Sequence, residues 1–172
     1  MRGPRGAAIR PTKGMVKEAL FSMLASLAPN LGRVLDLYAG VGALGIEALS
    51  RGADWVDFAE SDREACGLIR QNLATTGFGE QSRIFCLSAK KSLSILLGRY
   101  DIILLDPPYS GEEVNIILGA LGESSLVGEG TLVVAEHSSR RELAPKFGRL
   151  TLLKTRRYGE SSLSIFRQEV MS

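Results

Sequence analysis

Two short stretches hold the residue types best suited to chemistry. Asp106-Pro107-Pro108-Tyr109 follows the apolar run at 100–105, YDIILL. Proline lacks an N–H and has a fixed φ, so a strand entering this stretch ends in a stiff corner. That corner offers a carboxylate, a carbonyl without a competing ladder, and an aromatic ring. The second stretch is DLYAGVGALG at 36–45, in which Gly40, Gly42 and Gly45 match G-x-G-x-x-G with Asp36 just upstream.

Glycines at this spacing let backbone approach a ligand closely, and the following helix N-terminus points amides at it. Alone the pattern is a weak signal, which a close-packed turn would also give. Glu60 strengthens it. Twenty residues past Gly40, at the end of the next apolar run, it is placed to accept hydrogen bonds from two ribose hydroxyls. Asp62 is the rival, but its position suits a helix N-cap. An adenosine-containing cofactor follows, either NAD or S-adenosylmethionine. Asp36 leans toward the second, because a carboxylate there would repel a pyrophosphate and suits an ammonium group.

The corner at 106–109 fits the methylation of an exocyclic amine. Such a nitrogen shares its lone pair with the ring, so it must be held in line with the donor while positive charge develops on it. The Asp106 carboxylate and the Pro107 carbonyl supply two acceptors for the N–H bonds. Pro108 removes a competing amide, and Tyr109 offers a face on which a base can stack. Positioning and electrostatics then supply the rate. The bland alternative is a turn that merely ends a strand.

These residues need elements to position them. From residue 13, apolar residues recur at helical spacing (Met15, Val16, Ala19, Leu20, Met23, Leu24, Leu27), with Thr12 as N-cap and Pro29 as stop. Continuously apolar runs then alternate with helical patterns. Strands are expected at 33–39, 55–61, 83–88, 100–106 and 130–137. Helices are expected at 42–52, 62–76, after 88 to about 97, at 112–121, and briefly near 139–146. Buried strands spaced by amphipathic helices imply a parallel sheet covered on both faces. The residues from 150 read as two strands around Tyr158-Gly159, an antiparallel hairpin closing the sheet. The expected fold is α/β: doubly wound, with a mostly parallel seven-stranded sheet and a C-terminal antiparallel hairpin. It forms one domain over 1–172, in which 1–29 are an N-terminal extension and helix. The strand carrying Asp106 should neighbour the strand carrying Asp36 where strand order reverses, which brings the two stretches together.

Composition narrows the class. The chain has 172 residues, 45% of them apolar and 23% charged, as in ordinary soluble domains. No apolar run approaches the roughly 20 residues of a membrane span, and no signal peptide is evident. The expected compartment is the cytoplasm. Cys66 and Cys86 read as small buried hydrophobes, and one histidine, His137, builds no metal site, so no metal is expected. The net charge is only +2, yet it is unevenly spread. Arg2, Arg5, Arg10, Lys13 and Lys17 face only Glu18 within 1–20. Within 138–158, Arg140, Arg141, Lys146, Arg149, Lys154, Arg156 and Arg157 face only Glu142. Two such segments point to an anionic partner, nucleic acid first, against the alternative of a solvated charged face.

DLYAGVGALGIEALSRGA and DIILLDPPY resemble the Rossmann-fold methyltransferases that act on amino nitrogens. RPTKGMVKEALFSML at 10–24, GALGIEALSRGA and RRYGESSLSIF are similar to the bacterial 16S ribosomal RNA guanine-N2 methyltransferases of the RsmD type. The likeness spans about residues 10–167. It implies transfer of a methyl group from S-adenosylmethionine to a guanine 2-amino group, with 16S rRNA or a small-subunit ribosomal particle as partner. By position it places Asp36, Gly40 and Gly42 around the methionine side and Glu60 on the ribose, with Gly45 in the same cofactor-binding loop. Asp106 to Tyr109 would hold the target amine, and Arg10, Lys13, Lys17, Arg156 and Arg157 the RNA. Related enzymes commonly carry an acid after the third strand for the adenine amine. Here the stretch is Leu87-Ser88-Ala89-Lys90, which makes Ser88 the candidate. Family members also usually carry a basic strand before the Arg-Pro-Thr segment, whereas nine residues precede Arg10 here. Other nucleic-acid amino-methyltransferases, a nicotinamide oxidoreductase and a non-catalytic RNA-binding module are the competing readings.

Overall fold

The computed structural model describes residues 13–108 and 112–168. Its first helix, α1 (Lys13–Leu27), leads into β1 (Arg33–Leu37), α2 (Ala43–Ser50), β2 (Trp55–Ala59) and α3 (Arg63–Thr76). A single 3-10 turn (Gly79–Gln81) precedes β3 (Ser82–Phe85), α4 (Ala89–Ile95), β4 (Tyr100–Leu105) and α5 (Glu113–Gly122). The chain then runs through β5 (Val127–Ser138), β6 (Lys146–Phe147), β7 (Leu150–Tyr158) and β8 (Ser161–Gln168).

All eight strands form one sheet, in the order β3-β2-β1-β4-β5-β8-β7-β6. The β1–β5 pairings are parallel; β8 inserts antiparallel between β5 and β7. The order reverses between β1 and β4, which opens a crevice beyond their carboxyl ends.

Side chains alternate along a strand, and both faces here are buried. Val34, Phe58, Ile102, Leu104, Leu132 and Val134 pack under α1, α2 and α3. Leu35, Leu37, Ile103, Leu105, Val133 and Ala135 pack under α4 and α5. This is why the strands read as continuous apolar runs.

Three expectations are corrected. The sheet has eight strands, not seven, because Lys146–Phe147 pairs with Leu150 and Thr151. No helix forms near 139–146. Pro145 cannot donate the bond a helix needs there, and its carbonyl instead accepts from Leu152 N at 2.9 Å, while Leu143 is drawn into the core. The third strand also ends at Phe85, short of 88, because Ser88 caps α4 by accepting from Lys91 N at 3.2 Å.

The amino ends of the strands close on a buried acid. Asp57 accepts from the Tyr100 hydroxyl and from Trp55 Nε1 at 2.8 Å, with Arg33 Nη2 3.4 Å away. The Arg33 guanidinium lies 4.0 Å from the Tyr100 ring centre. This cluster lies at the pole opposite the crevice.

Candidate active site

The glycine loop is built around two carboxylates. Beyond β1, Tyr38 adopts φ 58° and Gly40 φ 59°, so the chain doubles back at once. Gly42, at φ 85°, starts α2. Asp36 is buried, and its Oδ2 accepts from Gly45 N at 2.9 Å. Burial pushes its carboxyl up to about 7; the charges of Asp106 and Glu60 add to the rise, and the Gly45 amide partly opposes it. Asn72 Nδ2 holds the Val41 carbonyl at 3.0 Å from α3.

Glu60, just past β2, accepts from Gly40 N through Oε1 and from Asp62 N through Oε2, both at 2.8 Å. Each oxygen retains a lone pair. Asp62 caps α3 by accepting from Glu64 N at 3.1 Å, and the Cys66 thiol donates to the Glu60 carbonyl at 3.2 Å.

Gly42 and Gly45 do a different job from Gly40. A Cβ on Gly45 would overlap the Phe58 ring and crowd Val56, and one on Gly42 would press on Phe58 and Ile69 at 3.3 Å. These two glycines let α2 sit against β2. At Gly40 nothing lies within 4 Å of the Cβ position, so the open side of the loop is there.

A cavity of about 270 Å³ occupies this open side, beneath α1. Asp36, Tyr38, Gly40, Asp106, Glu136 and Lys17 line it. The register turns four acids toward this side of the sheet; three of them, Asp36, Asp106 and Glu136, line the cavity, and Glu60 does not. Asp36, Glu60, Asp106 and Glu136 each lie two residues beyond a side chain of the α1–α3 face: Val34, Phe58, Leu104 and Val134. Period-two alternation turns all four toward the same side. Leu105 pairs with Ala135, so Asp106 and Glu136 follow one another at the same level on adjacent strands.

Pro107 is buried and Pro108 exposed at the corner after Asp106; Tyr109 lies outside the described residues. The far end of this loop is fastened twice. The Tyr38 hydroxyl donates to Glu113, and Arg141 Nη1 donates to Glu112 at 2.8 Å. Burial, reinforced by the Glu113 carboxylate beside it, pushes the Tyr38 phenol well above its ordinary range.

The basic residues divide. Arg10 lies outside the described residues, and Lys13 opens α1. Lys17 lines the cavity and pairs with Glu47 at 3.3 Å. Arg141 holds Glu112, and Arg149 bonds the carbonyls of Gly122 and Ser124. Arg156 pairs with Leu163, which pairs with Glu136. Cross-strand partners share a face, so Arg156 stands on the cavity side, about 10 Å from Glu136 across two strand spacings. Arg157 points to the other side and donates to the Gly159 carbonyl at 3.0 Å. Ser88 is not among the cavity-lining residues; it caps α4.

Sequence reasoning missed Glu136, Tyr38 and Glu113. Alternation from Val134 would have found Glu136. His137, its neighbour, is buried with Nε2 2.8 Å from Ser164 Oγ, and burial lowers its basicity. Among the described residues no group of acids, histidines and cysteines could hold a metal, and no helix is long and apolar enough to cross a membrane.

Comparison with known proteins adds a second line. The family model Conserved hypothetical protein 95 matches residues 1–167. The putative rRNA methyltransferase YlbH of Bacillus subtilis is 32% identical over 171 residues, 98% of this chain and 92% of that one. Ribosomal RNA small subunit methyltransferase D of Escherichia coli K12 is 28% identical, over 96% of this chain and 83% of its own. Among solved structures, a putative methyltransferase from Escherichia coli, yhhF, superposes with a TM-score of 0.86 at 27% identity, covering 99% of this chain and 93% of that one. The nicotinamide reading of the glycine loop therefore lapses. The chain belongs to the Conserved hypothetical protein 95 family, the RsmD-type methyltransferases that use S-adenosylmethionine.

Proposed function

We propose that this enzyme transfers a methyl group from S-adenosylmethionine to the N2 amine of a guanine in small-subunit (16S) rRNA. The observation that carries the reading is the placement of Asp106 in the same cavity as Asp36 and Gly40. A corner that can hold an amine thus opens onto a loop that can hold the donor.

The residues suit such a donor, which when bound supplies an electrophilic methyl on a positively charged sulfur. Asp36 offers the cavity a buried carboxylate for the ammonium end of the donor. Glu60, already anchored on two amides, has lone pairs left for ribose hydroxyls. Asp106 and the Pro107 carbonyl hold the two N–H bonds of the target amine, which aims the nitrogen lone pair into the cavity. The carboxylate also favours the positive charge that grows on that nitrogen during attack. Pro108 fixes the chain direction immediately after that carbonyl and adds no N–H of its own at the corner. Tyr109 provides a stacking face for the extruded base, whose unstacking costs about a few kcal/mol. Arg10, Lys13, Lys17 and Arg156 supply phosphate contacts, and Arg157, turned to the other face, contributes less.

The test is transfer of labelled methyl from S-adenosylmethionine to small-subunit rRNA, naked and within the particle, from cells lacking this protein. Nucleoside analysis should yield N2-methylguanosine. A different methylated nucleoside, or none with either substrate, refutes the assignment. Asp106→Ala should abolish transfer and leave donor binding in place.

A further inference from the structure

We infer that Glu136 reads the ring N1–H beside the target amine, making it the residue that selects guanine over the other amino-bearing bases. This inference rests on the guanine-N2 reading above. Three observations lead to it. Glu136 lines the same cavity as Asp106. Its strand is hydrogen-bonded to that of Asp106, with Leu105 opposite Ala135, so the two acids follow at one level. Both turn to the same face, since Leu104 and Val134, two residues earlier, pack in the same core cluster. Strand spacing puts their backbones about 5 Å apart, the scale on which one base edge can meet both.

The chemistry then discriminates. The guanine 2-amino group has a donor, N1–H, immediately beside it on the Watson–Crick edge. The adenine 6-amino group has the N1 acceptor beside it, and the cytosine 4-amino group the N3 acceptor. With the amine held by Asp106 and the Pro107 carbonyl, a carboxylate on the adjacent strand accepts from N1–H of guanine. The same carboxylate would set its lone pairs against N1 of adenine or N3 of cytosine. A site built on a hydrogen bond rejects an analogue that cannot make it far more strongly than a pocket judging shape alone.

2-Aminopurine tests this directly, because it keeps the 2-amino group but has an acceptor at N1. Small-subunit rRNA is prepared by ligation with guanine or 2-aminopurine at the mapped target position, free or assembled into particles. Wild-type enzyme should favour guanine by about ten- to hundredfold in kcat/KM, the span of one charge-assisted hydrogen bond. Glu136→Gln presents an NH2 that suits an N1 acceptor and should shrink or invert that ratio; Glu136→Ala should level it. Donor affinity, measured separately, reports that each variant is folded. If wild-type enzyme uses both substrates equally, or if the ratio survives in a Glu136→Gln variant that binds donor, the assignment of Glu136 fails. A merely structural role would slow both substrates alike and leave the ratio unmoved. Absence of transfer to the guanine substrate by wild-type enzyme would instead sink the guanine-N2 reading itself.

Discussion

Gly40 donates its backbone N–H to Glu60 Oε1 at 2.8 Å, which ties the loop after β1 to the acid after β2. The other Glu60 oxygen is occupied by the Asp62 amide, so both ends of the carboxylate brace backbone. Glu60→Gln would place an NH2 against one of those amides. The expected result is a loss of S-adenosylmethionine affinity of about tenfold or more, since 1.4 kcal/mol is one decade and a bond to a charged group exceeds that on average. Calorimetric titration with S-adenosylhomocysteine measures it, and an unchanged dissociation constant would remove Glu60 from the binding machinery.

Asp36 makes donor binding depend on pH. Its folded-state carboxyl is raised from 3.8 to about 7, so between these values the native chain holds a proton that the unfolded chain has released. Stability on this account is greatest below pH 4 and falls as pH rises toward 7. The ammonium of the donor favours the ionised form, so affinity should rise from pH 6 to 8 with a proton released on binding. Titrations in buffers of different ionisation enthalpy detect that proton. Asp36→Asn should bind weakly and without the pH trend, and its urea midpoint should lose less than that of the wild type between pH 5 and 8.

Arg156 and Arg157 should behave unequally. Arg156 shares the cavity face through its row with Leu163 and Glu136, whereas Arg157 is turned away. Arg156→Ala should weaken RNA binding and lower the salt slope by about one, leaving donor affinity intact. Arg157→Ala should change both the slope and the affinity less. Equal effects in filter binding across a salt series would contradict the assignment of faces.

Asp57→Asn separates stability from chemistry. The change breaks the charge pairing at the amino ends of the strands, where Arg33 keeps the Arg99 and Leu97 carbonyls as acceptors at 3.1 and 2.9 Å. The cost should be about 3 kcal/mol, the low end for disrupting a buried pair, read as a fall in the urea midpoint. Since the cluster lies at the opposite pole, turnover measured at a temperature where the variant is folded should match the wild type.

Much of this architecture was legible because β1, β2, β4 and β5 are buried on both sides over most of their length and capping residues such as Asp62 and Gly77 punctuate the helices between strands. The switch point between β1 and β4 followed from that alternation, and with it the meeting of Asp36 and Asp106. What escaped reading depended on tertiary context. The segment 139–145 has helix-compatible residues but spends Leu143 on the core and Pro145 on β7. Ser88 looks polar and available, yet its oxygen is used as a cap. The tie between Tyr38 and Glu113 spans 75 positions and requires a left-handed tyrosine, which no local pattern announces. Glu136 was within reach of simple alternation, but it attracted no attention because no motif surrounds it.

The shared orientation of Asp36, Glu60, Asp106 and Glu136 has an evolutionary consequence. Losing or gaining one residue within any of their four strands would swing that acid through to the α4–α5 side, into apolar packing. Length variation in descendants of this chain is therefore confined to the connections, and the strands can change only by exchange of one side chain for another. Divergence among such enzymes should be written in their loops and helices, while the spacing from each buried hydrophobe to its acid stays at two.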